Sequence, residues 1–128
     1  KNVFVPSFDK IIYFYQHYQS IYDVMLKNLP NIEFLSCLDF DLINSLPNDG
    51  TRYLLIFDDS CKDIFDSKDF ESLATSGRHR GLHVIYINHN LFQQSKYSRT
   101  IDLNTTHLML FKSPRDYEQV KALFKRMG

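Results

Sequence analysis

Short runs of β-branched and aromatic residues recur along the chain, with longer stretches of helical spacing between them, the rhythm of alternating strands and helices. Ile11-Ile12-Tyr13-Phe14-Tyr15 reads as a buried strand. Tyr18, Ile21, Tyr22, Met25, Leu26 and Leu29 then fall at i, i+3 and i+4 spacing and predict a helix that Pro30 stops. Ile32-Glu33-Phe34-Leu35 has the length of a short edge strand. Asp39 is placed to cap a brief helix running to about Leu46, ahead of the turn Pro47-Asn48-Asp49-Gly50. Tyr53-Leu54-Leu55-Ile56-Phe57 is apolar without interruption, the character of a central parallel strand covered on both faces, and it ends in Asp58-Asp59.

The second half continues the rhythm. A helix is predicted around residues 69–75, after which the glycine-bounded basic connector Gly77-Arg78-His79-Arg80-Gly81 leads into another buried strand, His83-Val84-Ile85-Tyr86-Ile87. Asn88-His89-Asn90 closes that strand, and a short helix or loop is expected through residues 93–99. Residues 107–111 read as the last strand. Ser113 as N-cap and Pro114 in the first turn open a final helix, with Tyr117, Val120, Leu123, Phe124 and Met127 as its apolar face. The expected architecture is α/β: one three-layer domain over residues 1–128, with four or five mostly parallel strands and helices on both faces.

Composition narrows the class. A chain of 128 residues builds one core and is too short for two ordinary domains. Hydrophobic residues at 44% and charged residues at 23% exclude a disordered chain, a collagen-like repeat and a coiled coil. No apolar run approaches the ~20 residues that span a bilayer, so no membrane partner is expected. Cys37 and Cys61 form neither a zinc quartet nor a C-x-x-C pair, and the histidines lack zinc-ligand spacing, which suits an intracellular protein with free thiols. Position 1 is Lys, which reads as a cut within a longer reading frame or the start of an expressed fragment.

Charge is zero overall but unevenly placed. Residues 1–76 carry six Lys and Arg against twelve Asp and Glu, a net charge of −6, while residues 77–128 carry nine against three, a net charge of +6. Such asymmetry marks either an anion-binding surface in the second half or two solvated faces that attract each other.

Three clusters carry chemistry. In open α/β sheets ligands bind beyond the carboxyl ends of the strands, where Asp58 and Asp59 would lie. One carboxylate there can hold a Mg²⁺-bound water and the other can orient an attacking water; the alternative is a strand-end pair that caps the next turn. Asn88-His89-Asn90 would stand at the tip of a neighbouring strand, placed to hydrogen-bond a γ-phosphate or its attacking water, or to serve the fold alone. The arginines of the connector can clamp phosphate in trans across an oligomer interface, or belong to a solvated basic loop.

Together, Tyr-Leu-Leu-Ile-Phe-Asp-Asp (53–59), Gly-Arg-His-Arg-Gly-Leu-His-Val-Ile-Tyr-Ile-Asn-His-Asn-Leu-Phe (77–92) and Tyr-Ser-Arg-Thr-Ile-Asp-Leu-Asn-Thr-Thr-His-Leu-Met-Leu-Phe-Lys-Ser-Pro-Arg-Asp (97–116) resemble the FtsK/HerA-type genome-packaging ATPases of Polinton (Maverick) elements and related DNA viruses. Residues 11–22 are similar to the family's second strand and following helix. The resemblance implies a P-loop-NTPase-like sheet of RecA/HerA type. It also implies that Asp58-Asp59 is Walker B with Asp58 toward the metal, that Arg78 is a candidate arginine finger, and that Asn88-His89 is sensor I. Arg78, Arg80, Lys96 and Arg99 would then face duplex DNA.

Two departures shape the expectation. The pattern G-x-x-x-x-G-K-[ST] is missing, because none of Gly50, Gly77, Gly81 and Gly128 precedes a Lys. Asn88-His89 also stands where the family usually has Thr-Gln. The expected function is therefore a P-loop-less derivative or C-terminal portion of a DNA-packaging ATPase, a binding or scaffold module that does not hydrolyse nucleotide alone and has no cofactor of its own. The alternative is an active DNA translocase using Mg-ATP once an upstream Walker A segment is supplied. The resembled fold places its P-loop strand between residues 83–87 and 107–111. Either the second of these strands is expected to slide across to pair with the first, or a homo-oligomer or partner chain to fill the gap.

Overall fold

The run at residues 53–57 forms the strand on which the domain is built. The computed structural model describes residues 7–58, 64–88, 95–111 and 116–127. In it β1 (Lys10–Tyr15), β2 (Ile32–Leu35), β3 (Tyr53–Asp58) and β4 (Leu82–Ile87) make one sheet in the order β2-β1-β3-β4. Every pairing is parallel, so each strand returns through a crossover and the helices fall on the faces. Tyr53 and Leu55 of β3 lie opposite Lys10 and Ile12 of β1 and opposite Leu82 and Val84 of β4.

Alternation along the strands divides the core in two. On one face Ile12, Phe14, Tyr53, Leu55, Phe57 and Leu82 pack beneath α2 (Phe40–Ser45), α3 (Lys68–Ser76) and α4 (Ser98–Asn104), which contribute Ile43, Phe70, Leu73 and Ile101. Phe14 and Phe57 stack at 5.0 Å, and Phe70 meets the Phe57 ring edge-on at 5.3 Å. On the other face Tyr13 and Ile32 pack with Tyr22 of α1 (Ile21–Asn28). Asp39 caps α2 as expected, accepting from the Leu42 amide at 2.9 Å, and Ser67 caps α3 through the Phe70 amide.

The α/β class, the parallel sheet and its four strands agree with the sequence reading, and four local readings are corrected. First, residues 107–111 form no strand: with no sheet edge alongside, Met109 is 74% exposed and Phe111 86% exposed. A β-rich run becomes a strand only against a partner, and here it has none among the described residues, so the expected slide onto β4 does not occur. Second, α1 starts at Ile21, and its apolar positions are mostly exposed, because the short helix covers only the β1–β2 part of its face. Third, the helix after β4 is α4 at Ser98–Asn104, which starts at the end of the stretch expected for a short helix or loop and runs past it. Fourth, helix α5 (Tyr117–Met127) has Val120 and Leu123 half-buried but leaves Tyr117 and Phe124 exposed, narrowing the apolar face read from the sequence. Ser113 and Pro114 lie outside the described residues. Among the described residues, no helix is long and apolar enough to cross a membrane.

The basic connector is a single 3₁₀ turn, Gly77–Arg80, closed by Gly81 in the left-handed region at φ 71°. Its carbonyl accepts from the Tyr53 amide at 2.9 Å, which joins the connector to the start of β3. A β-carbon at position 81 would sit 2.6 Å from the Thr51 carbonyl oxygen. Gly81→Ala is expected to lower the unfolding free energy by at least about 2 kcal/mol, from left-handed strain and that contact together. Urea denaturation checks it, and an unchanged midpoint would contradict it.

Candidate functional site

Asp58 is the last residue of β3 and lies opposite Tyr15 of β1 and Ile87 of β4, at the carboxyl end of the sheet. Alternation puts its side chain on the α1 face, together with those of Tyr13 and Tyr15. Tyr13 donates its hydroxyl to Asp58 Oδ2 at 2.7 Å, and Tyr22, reaching down from α1, donates to the same oxygen at 3.3 Å. The rings that carry these hydroxyls are held by one another. Tyr22 stacks on Phe34 of β2 at 4.7 Å, Tyr13 meets Phe34 at 5.1 Å, and Tyr15 and Tyr18 pack against Tyr22 at 5.3 Å each. The phenols thus converge on the carboxylate through packed aromatic bodies, which fixes their direction at little entropic cost.

The electrostatics follow from this geometry. Burial, then the hydrogen bond and negative charge of Asp58, push the Tyr13 hydroxyl far above the ordinary tyrosine range. Burial and the Asp58 charge also raise Tyr22. Both phenols therefore remain proton donors at any physiological pH. The four tyrosines were read from the sequence as apolar strand and helix positions only. Their signal was the spacing: positions 13 and 15 share one strand face, and 18 and 22 lie four residues apart.

The other expected site residues divide between the two ends of the sheet. Asn88 follows Ile87 and is exposed beside the carboxyl end, near the level of Asp58. Asp59 and His89 lie outside the described residues. Arg78 and Arg80 precede β4 and so occupy the amino end, roughly 16 Å along the strands from Asp58 at ~3.3 Å per residue. The Arg80 guanidinium donates to the carbonyls of Asn44 and Leu46 at 3.0 and 3.2 Å, tying down the last turn of α2. Arg78 is exposed. Lys96 and Arg99 belong to the segment after the carboxyl end of β4; the Lys96 ammonium lies 5.1 Å over the Tyr97 ring, and its amide donates to Asp66 Oδ1. The four cations expected to face DNA are thus two pairs at opposite ends of the sheet. Cys37 is an exposed free thiol. Among the described residues no group of three or more His, Cys, Asp or Glu is arranged to hold a metal ion.

What the site can do is hold a carboxylate rigidly with its Oδ2 doubly engaged. Below about pH 10 the Tyr13 phenol is neutral in folded and unfolded chains alike, so its stabilising bond is present in full. Above that pH the unfolded chain releases its phenolic proton first, and stability falls with rising pH. In an alkaline titration followed by tyrosinate absorbance, at least one of the eight tyrosines is expected to stay protonated until the fold melts. Tyr13→Phe should make that late step smaller by one tyrosine, and ionisation of every tyrosine ahead of unfolding in the unaltered chain would contradict it.

The chain matches no protein-family model, no curated protein and no solved structure.

Proposed function

We propose that this chain is a binding or scaffold module of FtsK/HerA-type packaging-ATPase ancestry, either a P-loop-less derivative or the C-terminal portion of such an enzyme, and that alone it does not hydrolyse ATP. The observation that supports this reading is the direction of the Tyr13 and Tyr22 hydroxyls. A Walker B carboxylate works by presenting oxygens to a Mg²⁺-bound water beside substrate phosphates. Asp58 stands at the right place in the sheet for that task, yet its Oδ2 accepts two phenolic hydrogen bonds and its side chain joins the α1 face of the core. A strand-end carboxylate held in this way serves the fold first. The sequence adds that no Gly-Lys step exists to bring backbone amides and an ammonium to the phosphates.

A scaffold acting inside the cell beside DNA would still use its cations. With Arg78 and Arg80 at one end and Lys96 and Arg99 at the other, these cations would meet the phosphate backbone at two places on the domain, weakly at each and with steep dependence on salt.

Calorimetric titration of the chain with Mg-ATP should give no micromolar binding, and a mobility shift with duplex DNA should show sequence-independent binding at low salt that disappears as salt rises. Micromolar affinity for Mg-ATP would overturn the non-hydrolysing reading. Absence of any shift at low salt would remove DNA from its partners.

A further inference from the structure

Strand β4 lies at one edge of the sheet, paired with β3 on one side and with no second strand among the described residues. It is apolar along its length, and Ile87 at its end is 41% exposed. Protected edges in natural sheets are short, charged, covered or closed by proline. β4 has full strand length and contains no Lys, Arg, Asp, Glu or proline, with His83 at the second position its one basic side chain, so it has few of these defences. The same chain carries the complementary piece. After α4 comes Thr106-His107-Leu108-Met109-Leu110-Phe111, as long as β4 and apolar on both alternating faces, yet lying outside any sheet. Leu103, Leu108, Met109, Phe111, Tyr117 and Phe124 are each at least half exposed, and all belong to this C-terminal third. Exposed apolar groups in such continuity mark an interaction surface in a soluble domain.

We propose that two copies of this chain associate by exchanging these C-terminal arms, residues 106–111 of each pairing as an added strand on the β4 edge of the other. Two observations favour a second copy as the occupant. Among the described residues an edge without a second strand and a strand-like arm outside the sheet occur in one chain, so a two-fold exchange satisfies both edges and both arms at once and closes the assembly. Thr105, just before the arm, sits 3.2 Å from the Tyr86 hydroxyl of β4 and donates to the Ile101 carbonyl, which keeps α4 on its own sheet while the arm departs. The inference stands on the edge and the arm and is independent of any ATPase ancestry.

The test is the mass of the full chain in solution across a dilution series, by light scattering and sedimentation, for the unaltered protein and for Met109→Asp/Phe111→Asp. Both positions are exposed in the single copy, so the double variant should keep its helical and strand signal. The unaltered chain is expected to dimerise at micromolar concentration, and the variant to dissociate at least about tenfold more readily, because two buried charges would enter the new strand. Hydrogen exchange should show the β4 amides that face away from β3 protected in the dimer and unprotected on dilution, while those bonded to β3 stay protected throughout. A monomer at every concentration would overturn the proposal, as would a dimer indifferent to the double variant. Concentration-independent protection of residues 106–111 would also overturn it, since the arm would then be closing its own edge.

Discussion

Everything in this domain depends on β3 being paired on both edges and buried on both faces. Tyr53, Leu54, Leu55 and Phe57 are buried, and the strand between β1 and β4 sets the register of its neighbours residue by residue. A strand so enclosed cannot end in a carboxylate without consequence, because a charge near the core must find donors. The donors come from the one face where the sheet is covered thinly. Tyr13 lies on the adjacent strand two positions back from the level of Asp58, and Tyr22 descends from the short helix above it. The aromatic cluster around Phe34 is thus the support of a polar contact as well as a packing unit.

The same constraint explains the unequal faces. On one side α2, α3 and α4 cover the sheet around Phe14, Leu55 and Phe70, all essentially inaccessible. On the other, α1 is eight residues long and reaches only β1, β2 and the end of β3. Apolar positions that helical spacing assigns to a core, such as Ile21, Leu26 and Leu29, therefore stay at the surface.

How much of this was legible in the sequence depends on the range of the interaction. Strands declared by continuous apolar runs, the Asp39 cap and the glycine-bounded turn were readable because propensity and local hydrogen bonding decide them. Residues 107–111 were misread for the opposite reason: a strand exists only by pairing, and composition says nothing about whether a neighbour is present. At the site, Asp58 was legible as a strand-end carboxylate, but its partners were not. Tyr13 and Tyr22 lie 45 and 36 positions away, and only the parallel register of β1 with β3 brings them together. The contact of Arg80 with the end of α2 was likewise illegible, because only the crossover places those carbonyls within its reach.

The account rests on Asp58 being committed to the fold through Tyr13, and a double-mutant cycle measures that commitment. Unfolding free energies of the unaltered chain, Tyr13→Phe, Asp58→Ala and the pair together isolate the coupling between the two side chains. A coupling of about 1–3 kcal/mol is predicted, the range of a hydrogen bond to a partly buried charge. Additive losses, with coupling below about 0.3 kcal/mol, would mean that the carboxylate is available for other chemistry and would contradict the account.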